Sequence, residues 1–153
     1  MVPQGESESE RIERNWDEIL QELRVTQTGT QILLGFLLTI PFQAAFGELE
    51  GAQIGVYLTL VIVAALATIL ALSPVALHRA LFRRGAKPQL VLAANLLMRL
   101  ALAAIALALG GTVFLIFDVV IGHTAAFVAG GATLALTLTI WAVLPSFLRE
   151  PHD

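Results

Sequence analysis

Residues 24–43 read RVTQTGTQILLGFLLTIPFQ, and how this stretch is understood decides what kind of molecule this is. Its second half is apolar enough for lipid. Its first half places Thr26, Gln27, Thr28, Thr30 and Gln31 within six residues. On a helix, Arg24, Thr28, Gln31, Gly35, Thr39 and Gln43 fall within an arc of roughly 120° at 100° per residue. The polar residues therefore form a face. In a lipid-embedded helix such a face seeks hydrogen-bond partners on neighbouring helices, because an unpaired amide is costly in hydrocarbon. Two readings follow. The face is glue, with Gly35 admitting a close neighbour while Gln31 and Gln43 bond across the bundle. Alternatively, it lines a wet pathway. Pro41 fits either reading: it has no N–H to donate, so the carbonyl of Leu37 is released and the helix is free to kink.

Working outward, the 153 residues are 57% hydrophobic and only 14% charged, with a mean hydropathy of +0.80. Soluble domains carry about 25% charged residues. Crossing the hydrocarbon takes roughly 20 apolar residues in a helix. Four windows meet this: 25–46, 54–77, 100–121 and 124–148. The third is expected to start early, so that it forms one long helix over 89–121. The fold class expected is all-α, an integral membrane four-helix bundle of two helical hairpins. The halves are faintly alike: Arg24 precedes Glu48 by the same interval as Arg99 precedes His123. A parallel repeat and the ordinary spacing of any four-span protein both account for that.

Lys and Arg accumulate on the cytoplasmic side of membrane proteins. Here Arg11, Arg14 and Arg24 precede the first span, and Arg79, Arg83, Arg84 and Lys87 fill the 78–88 loop. Arg149 lies in the 149–153 tail, and the two remaining turns have neither residue type. Both termini and the basic loop are thus expected in the cytoplasm of a bacterial plasma membrane.

Residues 1–9 are expected to be a disordered acidic terminus. Over 10–24 a cytoplasmic amphipathic helix is expected, continuous with the first span. Its stripe is Ile12, Trp16, Ile19, Leu20 and Leu23, at helical period, and Ser7 with Glu10 has the spacing of a capping box. The polar side of this helix is acidic, whereas interfacial helices usually carry a basic one. The stripe is therefore expected to pack on the extension of the third span, PQLVLAANLLMR. Residues 1–24 carry seven acidic and three basic side chains, and the 78–88 loop carries four basic ones. This complementarity predicts a docking platform of Trp16, Arg79, Arg83, Arg84 and Lys87; the alternative is a basic loop facing anionic headgroups.

Much chemistry is excluded. There is no cysteine, and His78, His123 and His152 have no metal-ligand spacing. No metal or cofactor is expected. No nucleophile–base–orienter set is visible, so the chain is not expected to be an enzyme. Ion-coupled transport normally needs an ionisable group at membrane depth, and few are present. Arg99, with Asn95 one turn before it, can snorkel to the cytoplasmic surface. Asp118 stands about a turn from the far end of the third span, near His123, either as an interfacial carboxylate capping the hairpin or as an ion-entry residue. Ala104, Ala108 and Thr112, and Thr133 with Thr137, form rows of small residues suited to close helix packing. Tyr57, Trp141 and Phe147 suit interfacial belts.

The segments RNWDEILQELRVTQTGTQILLGFLLTIPFQ and HRALFRRG resemble a family of small four-span membrane proteins of unknown function, frequent in actinobacteria. The likeness runs from about Arg11 to Arg149. Some members carry an automatic sodium:proton antiporter label, which the sparse charge inventory does not support. The resemblance implies a fold and an envelope location, not a reaction. The leading expectation is a non-enzymatic protein acting by association, as a homo-oligomer or an accessory subunit. The alternative is a small ion or proton carrier with the polar face as pathway. The expected partners are the lipid bilayer and either the chain itself or another membrane protein; no nucleic acid is expected.

Overall fold

The computed structural model describes residues 8–81 and 87–143. Among these, the chain is all helical. Helix α1 spans Glu8–Thr39, α2 Gly51–Leu81, α3 Lys87–Val120 and α4 His123–Leu138. Short 3₁₀ turns, Ile40–Phe42 and Ala44–Glu48, join α1 to α2. A π-helical turn, Thr139–Val143, extends α4. Each helix is long and apolar enough to cross a membrane, over Leu20–Phe42, Gly51–Leu77, Val91–Val120 and His123–Trp141.

The boundaries differ from those expected, for local reasons. The first helix ends at Thr39, not near residue 46. Pro41 sits in the 3₁₀ turn, and Gln43 is extended, with φ −84° and ψ 142°. Gln43 therefore leaves the helical register that placed it on the polar face. The basic loop is shorter than 78–88, because α2 runs to Leu81 and α3 begins at Lys87. Pro74 lies inside α2. The expected span to residue 148 and the 149–153 tail reach beyond the described residues.

Helix α3 is central. It packs most extensively on α2, then on α4, and more lightly on α1. Among the described residues α4 approaches only α3, so α1 and α4 do not meet and the bundle is open. The α2–α3 seam follows from small residues at near-heptad spacing. On α2 the buried positions are Tyr57, Leu60, Ala64, Ala67, Ala71 and Pro74. On α3 they include Ala94, Met98, Ala101, Ala104, Ala108 and Leu115. Alanines let the backbones approach where lipid offers no hydrophobic drive to association. The α3–α4 approach is closer still. A Cβ on Gly130 would stand 2.7 Å from Phe114 Cβ and 3.0 Å from the Gly110 carbonyl oxygen. Phe114 and Phe127 stack edge-to-face beside it, with centroids 5.0 Å apart.

Helix α1 changes neighbours along its length. Toward its N-terminus, buried Leu23, with Leu20, packs on Val91, Ala94, Met98 and Leu102 of α3. Toward its C-terminus, Leu37 joins Tyr57, Leu60, Ala64 and Leu115. Leu23, Thr30 and Leu37, seven residues apart, are the buried seam of α1. The side chains of Ile12, Trp16, Ile19 and Lys87, together with Arg83 and Arg84, lie outside the described residues. Arg79 is exposed.

Candidate functional site

Two polar features stand out on this apolar scaffold. The first is the α1 stripe. Arg24, Thr28, Gln31, Gly35 and Thr39, and Gln43 beyond the helix end, are all exposed. The buried seam of Leu23, Thr30 and Leu37 lies roughly 140° around the helix from the centre of the stripe. The face thus points away from α2 and α3. The seam facing the neighbours is a different set of residues. Gln27 lies between the two faces and is half-buried.

The threonines of α1 are satisfied locally. Thr28 Oγ1 donates to the Arg24 carbonyl at 3.0 Å, Thr30 to Gln27 at 3.0 Å and Thr39 to Phe36 at 2.7 Å. Such back-bonding spares a hydroxyl any partner outside its helix. One contact crosses helices: Thr26 Oγ1 lies 3.8 Å from Met98 Sδ. A glutamine amide has no comparable local solution. Among the described residues, the side chains of Gln31 and Gln43 have no hydrogen-bond partner. Around them the outer surface carries Ile32, Phe36, Leu38 and Phe42, all exposed. Gly35 is equally unused among the described residues, since a Cβ there would meet nothing within 4 Å.

The Thr26–Met98 contact sets the level of the basic residues. It places Arg24 on α1 and Arg99 on α3 within about a turn of each other. Both are exposed, as is Asn95. From Arg99 to the end of α3 is about 31 Å of helix, close to the thickness of the hydrocarbon. A groove between the helices at this level is lined by Gln21, Glu22, Val25, Thr26, Met98 and Leu102.

The second feature is at the opposite end. A two-residue turn joins α3 to α4. Ile121 N–H and Gly122 N–H both donate to the Phe117 carbonyl, at 2.9 and 3.0 Å. Gly122 has φ +125°, a conformation that side chains resist. This turn brings Asp118, on the last turn of α3, against His123, the first residue of α4. His123 Nδ1 pairs with Asp118 Oδ1. Asp118 Oδ2 accepts from Gln53 Nε2 at 3.0 Å. The other end of the same amide, Gln53 Oε1, accepts from Glu50 N–H at 3.0 Å. Gln53 therefore caps the start of α2 in the manner of a capping-box glutamine while holding the carboxylate of α3. The Asp118 side chain is 3% exposed and that of His123 71%. Chemically, the cluster is a buried carboxylate with donors from two other helices. Among the described residues no group of three or more His, Cys, Asp or Glu side chains is placed to hold a metal.

The sequence singles out Asp118 and His123, which the structure brings together, but not Gln53. The available signal was a glutamine three residues after Glu50 at a helix start. Tyr57 is not in an interfacial belt: it is 3% exposed, its hydroxyl bonds the Leu37 carbonyl at 2.9 Å, and its ring meets Phe46 edge-to-face at 5.2 Å.

Four helices long and apolar enough to cross a membrane make this a small all-helical protein of membrane-protein type. The chain belongs to a family of unknown function, DUF6328, whose sequence profile matches residues 5–145. Neither the curated proteins nor the solved structures give a match.

Proposed function

We propose that this is a non-enzymatic multi-pass protein of a bacterial plasma membrane that works by lateral association, with the outward stripe of α1 as its contact surface. One observation carries this reading: Gln31 is exposed on a membrane-length helix and its amide has no hydrogen-bond partner among the described residues. Lipid tails offer that amide no hydrogen bond. A neighbouring protein helix does, and each such bond contributes about 0.6–2 kcal/mol. Gly35, one turn further on, leaves the space a neighbour needs. The charge pattern supports cytoplasmic termini, with the α1–α2 and α3–α4 hairpins inserting as units and Arg24 and Arg99 at the cytoplasmic boundary. Transport is the weaker reading: within one chain the stripe encloses no interior, and Asp118 lies at the end of its helix.

The absence of cysteine makes a direct test simple. Single cysteines at Gln31, Gly35 and Thr39 are compared in native membranes with one at Ile62, which is exposed on α2. Protection from a membrane-soluble thiol reagent at the stripe, with Ile62 labelled, is the expected result. Equal labelling at all four positions would sink the association reading. Labelling of the stripe by a water-soluble reagent would favour a pathway instead.

A further inference from the structure

We infer that the occupant of the α1 stripe is a second copy of this chain. The two copies meet α1 against α1 in parallel, about a two-fold axis along the membrane normal, with Gln31 facing Gln31 and the closest approach at Gly35. The inference rests on the association reading above and adds the partner and the geometry.

The argument begins with insertion. Copies of one chain enter the membrane in one orientation, so the α1 helices of two copies run the same way and equal residue numbers lie at equal depth. A two-fold contact must then be complementary to itself. The stripe meets that condition. A glutamine amide carries both donors and an acceptor, so Gln31 can satisfy a second Gln31 as a purely donating or accepting side chain cannot. No ionisable group lies between Arg24 and Gln43, so no like-charge pair is buried on the axis. Arg24 stands at the rim, where it can reach headgroups.

Shape agrees. The two hydroxyls flanking the stripe are already turned onto their own backbone, Thr28 to Arg24 and Thr39 to Phe36. They thus present methyl groups to a neighbour and demand no bond from it. Nothing among the described residues comes within 4 Å of a Cβ built on Gly35. By contrast, Gly110 and Gly130 have theirs filled by the α3–α4 contact. Access is open, because α4, the other peripheral helix, packs on α3 and does not reach α1 among the described residues.

The test is oxidative cross-linking of full-length single-cysteine chains in native membranes, followed by intact mass of the product. A disulfide requires Cα atoms about 4.4–6.8 Å apart. Gly35→Cys is expected to give a cross-linked pair of this chain in high yield, while Val128→Cys, exposed on α4, gives little. Adding Gln31→Leu to the Gly35→Cys chain should lower the yield several-fold. Gly35→Ile, whose Cβ meets nothing within 4 Å among the described residues, should separate the copies while the chain still folds, read as loss of the dimer in native mass spectrometry from nanodiscs. A Gly35→Cys adduct to a different protein would overturn the self-pairing and leave lateral association standing. Absence of any adduct, together with free labelling of the stripe, would overturn both.

Discussion

The hydroxyl of Tyr57 donates to the main-chain carbonyl of Leu37 at 2.9 Å. In an uninterrupted α-helix that carbonyl would accept from the N–H of residue 41, and residue 41 is proline. The end of one membrane helix is thus completed by a side chain of the next. Both residues are buried, with 2% of Leu37 and 3% of Tyr57 exposed. The bond joins α2 to α1 where α1 gives way to a 3₁₀ turn.

Tyr57→Phe should therefore destabilise the fold by about 0.6–2 kcal/mol, the range for polar contacts between membrane helices. Unfolding in mixed micelles with rising SDS measures it. Pro41→Ala returns an N–H to position 41, so the same Tyr57→Phe change should cost less in that background. A double-mutant cycle isolates the coupling. Equal costs in the two backgrounds would mean that proline does not leave this carbonyl in need of the tyrosine.

At the α3–α4 turn, Gln53→Leu removes a donor to Asp118 and an acceptor for Glu50 N–H in one step. Leaving such groups unpaired typically costs about 1–3 kcal/mol. The loss should shrink in an Asp118→Asn chain, because an amide is less dependent on a donor than a carboxylate. Thermal unfolding of the four proteins in detergent gives the comparison. Additive losses would show that the two side chains act independently.

Adjacent glycines on α4 should behave oppositely. A methyl at Gly130 meets the Phe114 Cβ and Cα atoms and the Gly110 carbonyl oxygen, two of them backbone atoms that cannot swing aside. Gly130→Ala should cost about 1–3 kcal/mol as α4 is pushed from α3. Gly131 has nothing within 4 Å. Gly131→Ala should be neutral or stabilising, by up to about 1 kcal/mol of helix propensity. Unfolding midpoints of the two single variants decide it, and equal destabilisation would disprove this packing. Gly111→Ala should fall between, because the obstacle is the end of the Leu60 side chain, which can change rotamer.

Gly122→Ala should loosen the α3–α4 turn itself. Its φ of +125° is unfavourable for a side chain, and strain of this kind is worth about 1–3 kcal/mol. Hydrogen exchange should rise at Ile121 and Ala126, whose N–H groups bond to Phe117 and Gly122. Unchanged protection there would show that the turn tolerates the substitution.

Local properties of the chain were enough for the number of membrane-length helices and for the carbonyl that Pro41 releases. Hydropathy is summed over neighbouring residues, and a helix satisfies its own backbone in lipid whatever lies beside it. Direction was not legible in this way. The periodicity of residues 24–43 showed a polar face, but not whether it turned toward α2 and α3 or away from them. Packing answered that, because Leu23, Thr30 and Leu37 fit the neighbouring helices and the glutamines do not. Gln53 and Asp118 are 65 positions apart, and only the folding of α2 against α3 brings them together. The backbone approach at Gly110 and Gly130 likewise seats α4 on α3, and among the described residues the polar face of α1 is left uncovered by any other helix.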